Sequence, residues 1–547
     1  MGTNRKGKST FLIAACVAMV LLPKLAAAEP ASARQIPVPL PPLGWSSWNS
    51  FSNTVDAQIV MAQAKAMAAN GMQKAGYQYI NIDEGWWLGK RDADGNIVVD
   101  EKAWPALAEG DKPGDMANIV RFIHGLGLKA GIYTDAGRDG CSLYPDLGNM
   151  YFNTGSEGHY EQDFLQFARW GFDYVKVDWC GGARENLDPA VQYAEIARAI
   201  ARAEEATGHR LYLSICEWGQ QSPWTWAANV GGLEADIWRT SGDIVDPIVA
   251  GGKNSARKAG FEKMLANFDQ GIHPDAQHTG FYNDPDMMVI GMPGFSDAQN
   301  RVHMSLWAIS GAPLLVGADL AKLSPETLAM LINPAVLSVD QDALGLQAVK
   351  VAEPAKGQEV WVKPLAKPGS RAVLLLNRTA AAQKIAAGWK DLGLAPGTQA
   401  TIRNAWTGEE LTSSDSLSAQ VPAGDAVFML VQGTESPAKT YQPEKSPRSG
   451  PKTQTICRGC DLRFNHVGSG APWAQVRIRY TNPDKAVRFV ELRVNGQVAT
   501  RIGFPPTGLN PGVVTIEALL DRQGETNALS FSALRDPGPA IDSITVK

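Results

Sequence analysis

Charged and aromatic side chains stand at or just beyond the ends of short apolar runs. They are Trp48, Asp83-Glu84, Tyr133, Lys176 with Asp178, Glu217, Arg239 followed by Asp243, and Asp284 with Asp286. Breaking a glycosidic bond needs at least two carboxylates. One attacks the anomeric carbon or activates water, and the other protonates the leaving oxygen. Acidic residues at such positions are too numerous here for this requirement to select the pair, because most Asp and Glu are solvated surface charges. Lys176 and Asp178 stand out. Two residues apart on a strand, they share one face. A cation beside a carboxylate keeps it ionised, as a nucleophile must be.

The elements that must position these groups can be read from the apolar runs. Strands are predicted at 43–45, 77–82, 128–133, 174–177, 211–215, 236–238, just before Asn283, and at 314–316, with helical spacing between them, as in 58–69 and 191–203. Eight strands alternating with helices fit either a (β/α)8 barrel or an open doubly wound sheet. The polar residues decide between them. Nearly every run ends in a functional side chain, and a barrel gathers its strand ends at one face where an open sheet would spread them along a line. The predicted fold class is therefore α/β, a (β/α)8 barrel over 38–344. An antiparallel β-domain follows over 345–432, then a Pro/Ser/Lys-rich linker over 433–455. A jelly-roll-like β-sandwich over 456–547 ends the chain.

The chain has 547 residues, too many for one core, and a net charge of -5. That charge offers no basic stripe for nucleic acid. Residues 1–28 read as a signal peptide: Arg5, Lys6 and Lys8 precede an apolar run, and Ala26-Ala27-Ala28 offers a cleavage site. An uncleaved anchor is the alternative. No later stretch is apolar enough to span a membrane, so a secreted or periplasmic protein is expected. Export permits disulfides. Cys141, Cys180, Cys216, Cys457 and Cys460 remain after cleavage, an odd number. The lone Cys457-Arg-Gly-Cys460 lacks the partners of a zinc site and reads as a local disulfide.

From Pro42 to about Leu344 the sequence resembles glycoside hydrolase family 27, the α-galactosidase (melibiase) family. The resemblance is carried by LGWSSWNSF, GYQYINIDEGWW, KAGIYTDAG, FDYVKVDWCGG, SICEWG, WRTSGDI, YNDPDMMVIG and WAISGAPLLVGADL. It implies a retaining exo-glycosidase with Asp178 as nucleophile and Asp243 as acid/base. Substrate contacts are implied from Trp48, Asp83, Glu84, Tyr133, Lys176, Glu217, Arg239 and Asp286. A Cys141–Cys180 disulfide is implied too, and Cys216 is left unpaired because Gly85 and Ala235 stand where some relatives have Cys. The family's usual second Asp after the second strand is Glu84 here. Its extra methylene reaches toward the position of the C6 hydroxymethyl group and makes β-L-arabinopyranosides an alternative substrate to α-D-galactosides, or an additional one. Glu217 argues against N-acetylgalactosamine, which needs a smaller residue there.

The expected partner is a galactose- or arabinopyranose-containing carbohydrate. No metal or organic cofactor is required for this chemistry. Two other classes fit the sequence less well. The presence of both carboxylates counts against a carbohydrate-binding protein without catalysis. The glycines at 291–294 and 311–317 form no convincing phosphate cradle for a phosphate-handling barrel. The C-terminal sandwich is either a carbohydrate-binding module or a structural domain packed on the barrel.

Overall fold

The computed structural model describes residues 1–3, 34–141, 154–230, 232–245, 260–444, 455–520, 524, 526–533 and 535–547. Of the predicted signal peptide only residues 1–3 are among them. Eight parallel strands follow in order: β1 Leu43–Ser46, β2 Tyr79–Asn81, β3 Lys129–Asp135, β4 Tyr174–Asp178, β5 Tyr212–Cys216, β6 Ile237–Arg239, β7 Tyr282–Asp284 and β8 Leu314–Val316. From β1 to β7 each pairs with the next, and β8 pairs onto β1 through Leu314↔Leu43. The ring closes just beyond β7. Met288 bridges Val316, donating its N–H to Leu315 O at 2.7 Å and accepting the Gly317 N–H at 2.9 Å.

Alternate strand residues point into this ring. Tyr79, Tyr174, Tyr212, Tyr282 and Ile237 cluster at its N-terminal end, with the Tyr174 and Tyr212 rings stacked at 5.7 Å. One layer up, Gly131 faces Asn81, and a Cβ there would lie 2.1 Å from Asn81 Oδ1. The polar residues occupy the next layer, at the C-terminal ends. Filled below and open above, the barrel confines its charged groups to one mouth.

Several helices outside the ring start at side-chain caps. α1, Ala57–Ala69, is capped by Asp56, which accepts the Ile59 N–H at 2.7 Å. α2 spans Ala117–Gly125, α3 Tyr160–Trp170 and α4 Pro189–Thr207. α4 begins earlier than its apolar spacing predicts because Asp188 caps it and Pro189 takes its first turn. α5 is Phe261–Gln270, and α6, Asp297–Ser310, opens on a Ser296/Gln299 capping box.

A six-stranded antiparallel sheet, Val349–Ala355 to Asp425–Gln432, packs on the barrel, with Trp406 Nε1 donating to Ser305 Oγ on α6 at 2.9 Å. The C-terminal region folds as two facing sheets around their own apolar core. One linker expectation needs correction. Lys439–Tyr441, within the stretch read as linker, pairs antiparallel with Ala540–Val546 as an edge strand of the sandwich. Residues 445–454 of that stretch lie outside the described residues. Arg34–Gln35 supplies the opposite edge, parallel to Gly512–Leu519. Short edge strands bury too little apolar surface to show a pattern. The sandwich is tied to the barrel by Arg501, which donates to Leu233 O at 2.9 Å, and by a His278–Thr500 hydrogen bond of 2.9 Å. Among the described residues, no helix is long and apolar enough to cross a membrane.

Candidate active site

Two cations organise the mouth of the barrel. Lys176, on β4, reaches Asp83 Oδ2 at 3.0 Å and Asp178 Oδ2 at 3.9 Å. Asp178 also accepts the Tyr133 hydroxyl at 3.1 Å on Oδ2 and the Trp179 N–H at 3.0 Å on Oδ1. Burial raises the Asp178 carboxyl above the ordinary carboxylate value, and Lys176 opposes that shift. Asp83 is held by two serines at the end of β1: Ser47 Oγ accepts the Asp83 N–H at 2.9 Å, and Ser46 Oγ donates to Oδ2 at 3.4 Å. Those serines were in view in the sequence, inside LGWSSWNSF, but nothing local linked them to Asp83, 36 and 37 residues away.

Across the mouth, Arg239 at the end of β6 ion-pairs with Asp243 at 3.1 Å and Asp286 at 3.0 Å. The two acids differ sharply in exposure, with Asp243 showing 46% of its side chain and Asp286 only 2%. Asp286 Oδ1 accepts the Met287 N–H and Oδ2 the Ile244 N–H. Its φ of 109° is a strained conformation for a residue with a Cβ, the kind that persists at functional sites. Burial pushes Asp286 up to about 7 against the pull of Arg239. Arg239 and Lys176 together bring the more exposed Asp243 below the usual carboxylate range.

Glu217, one residue past β5, is buried, and burial pushes it up to about 7. Its Oε2 accepts the Gln221 N–H at 2.7 Å, while Oε1 has no partner among the described residues. Arg239 Nε is likewise buried without a partner. Such atoms carry a desolvation cost that ligand hydroxyls would relieve. Trp48, half-buried on a short turn of helix after β1, and the buried Glu84 after β2 complete the predicted set.

Cys141 and Cys180 are disulfide-bonded, tying the loop after β3 to the residues after β4, and Cys457 is bonded to Cys460. Cys216 is free and buried, 3.8 Å from Arg239. Asp135, which the sequence reading passed over, lies in register with Asp178 and is wholly buried. Its Oδ1 accepts the N–H groups of Gly137 and Gly181, joining the same two loops as the disulfide.

This arrangement can hold a polyhydroxyl ligand by charge-assisted hydrogen bonds, with one carboxylate at the floor and another at the rim. Among known proteins, residues 40–342 match a family profile described as Alpha galactosidase A. Residues 355–431 match the alpha-galactosidase C-terminal beta sandwich domain, and 462–546 the alpha-galactosidase CBM13 domain. The alpha-galactosidase A of Cellvibrio japonicus is 37% identical over 401 residues, covering 71% of this chain and 91% of that protein. A probable alpha-galactosidase of Dictyostelium discoideum is 35% identical over 399 residues, covering 72% and 93%. The structure of alpha-galactosidase I from Mortierella vinacea superposes with a TM-score of 0.62 at 27% identity, covering 73% of this chain and 98% of that one. A GH27 β-L-arabinopyranosidase from Geobacillus stearothermophilus shares the fold, with a TM-score of 0.60 at 22% identity and coverage of 73% and 98%.

Proposed function

The chain belongs to the α-galactosidase (melibiase) family of glycoside hydrolases, and from that membership we propose that it removes terminal α-D-galactosyl residues with retention of configuration. Asp178 attacks the anomeric carbon and forms a glycosyl-aspartate. Asp243 protonates the leaving oxygen and then activates the water that releases the sugar. Asp83, Lys176, Glu217, Arg239 and Asp286 take the ring hydroxyls, Tyr133 orients the nucleophile, and Trp48 offers an apolar wall to the sugar face.

The observation that carries this reading is the pair of shared cations. Lys176 lies between Asp83 and Asp178, and Arg239 between Asp243 and Asp286. The buried Asp83, Asp178 and Asp286 suit the glycone, and the 46% exposure of Asp243 suits an acid that meets a leaving group arriving from solvent. The test is NMR of the first-formed sugar from 4-nitrophenyl α-D-galactopyranoside. The α-anomer is expected, and the β-anomer would overturn the mechanism.

Activity on β-L-arabinopyranosides is proposed as well, because Glu84 stands where the family usually has Asp on the C6 side of the glycone and those sugars lack the C6 group. Export is also proposed. It is supported by the N-terminal pattern of basic residues, apolar run and small residues, and by the two disulfides.

A further inference from the structure

Gly140 lies in the loop after β3, one residue before the disulfide-bonded Cys141. Its φ is outside the left-handed region, so the backbone does not require glycine there. The neighbours do. A Cβ at this position would lie 2.3 Å from Glu84 Oε1 and 3.5 Å from its Cδ, with Trp87 Cζ2 at 3.2 Å. No main-chain atom is among these three neighbours. The volume that a methyl group would fill is occupied by the Glu84 carboxylate, and Glu84 is buried.

We propose that Gly140 determines specificity through Glu84: its missing side chain leaves a recess that holds the longer carboxylate back against the loop and keeps space for the C6 hydroxymethyl group of galactose. This rests on the reading of Glu84 as the residue on the C6 side of the glycone. Lengthening Asp to Glu at this position would by itself crowd C6, and the bare backbone at 140 offsets the extra methylene. Trp87 bounds the same recess, and Tyr133 and Asp135 lie near enough to Glu84 for its charge to raise both their ionisations. A methyl group at 140 would displace the carboxylate from the recess, away from the loop and toward the glycone.

The test compares wild type, Gly140→Ala, Glu84→Asp and the double variant. It measures kcat/KM on 4-nitrophenyl α-D-galactopyranoside and 4-nitrophenyl β-L-arabinopyranoside, with a thermal unfolding scan of each protein. In Gly140→Ala the galactoside-to-arabinopyranoside ratio should fall roughly 10-fold, the scale of one methylene in a fitted pocket. Glu84→Asp in the same chain should bring the ratio back to the wild-type value or above. An unchanged ratio in Gly140→Ala, or a double variant as skewed as the single, would overturn the proposal. If Gly140→Ala does not fold but the double variant does, the double variant's ratio decides: at or above the wild-type value the proposal stands, and below it the proposal falls. If neither folds, the glycine serves the backbone and the proposal falls. Wild-type protein that hydrolyses neither glycoside would instead overturn the underlying functional reading, and this proposal with it.

Discussion

Two cations each serve two carboxylates in this site, and that sharing governs where protons rest. Arg239 can neutralise one charge, yet Asp243 and Asp286 both contact it. Asp286, buried and shifted to about 7, is the better place for a shared proton in the empty site. General-acid action needs that proton, so kcat/KM should fall as pH rises through about 7. Asp286→Asn removes a negative neighbour and leaves Arg239 to Asp243 alone, which lowers the Asp243 carboxyl. The alkaline limb of the pH profile should then move to lower pH, and an unmoved limb would disprove the coupling. The role assignment has its own test. Asp178→Ala should abolish turnover on every substrate. Asp243→Ala should cost about 10²–10⁴-fold on a galactose disaccharide and far less on a 4-nitrophenyl glycoside, whose leaving group needs little protonation. Equal losses on both substrates would reverse the assignment. The Lys176–Asp178 pair was legible from alternation along one strand. The Arg239–Asp286 contact, 47 positions apart, and the Gly140 recess were not, because they arise only when the barrel brings separate strand ends together.

At the level of elements, the loops after β3 and β4 are fastened to each other twice, by Cys141–Cys180 and by Asp135 bonding to Gly137 and Gly181. The disulfide spans 39 positions, for which chain-entropy arguments give roughly 4 kcal/mol and measured bridges more often about 2–4. Cys141→Ser with Cys180→Ser should lower stability by that order, measured as the denaturation midpoint. It should also reduce kcat/KM, because Cys180 lies two residues from Asp178. If activity survives while stability falls, Asp135 alone suffices to hold the rim. Most of the barrel strands were readable because they are apolar runs ending in a polar group; β7, with the sequence Tyr-Asn-Asp, carries the weakest signal. The hairpin Trp87–Arg91 with Ile97–Val99 was not, since its alternation is short and Gly89 interrupts it. The edge strands Arg34–Gln35 and Lys439–Tyr441 carry no local signal, because the sandwich they complete is what makes them strands.

Across the whole molecule, the two β-domains meet over buried charges. Arg371, in strand Ser370–Asn377 of the middle domain, ion-pairs with Glu435 at 3.4 Å, and Lys547 at the chain's end also contacts Glu435. Glu517 lies buried in strand Gly512–Leu519 of the sandwich, close enough to Arg371 to feel its charge. Burial pushes Glu517 up to about 8, with Arg371 opposing. An unfolded Glu titrates at about 4.3, so between roughly pH 4.5 and 8 the folded chain holds a proton that the unfolded chain has released. Stability from this group is therefore fully present below the unfolded value and is lost as pH rises through about 8, at a slope of at most ~1.4 kcal/mol per pH unit. Glu517→Gln keeps the shape and hydrogen-bonding capacity while removing the titration. The wild-type unfolding midpoint should drop between pH 5 and pH 8, and the Glu517→Gln midpoint should drop less, leaving the variant more stable than wild type at pH 8. Parallel midpoints for the two proteins across that range would show that Arg371 keeps Glu517 ionised in the folded state. The domain contact would then be an ordinary ion pair, with stability that does not depend on pH between 5 and 8.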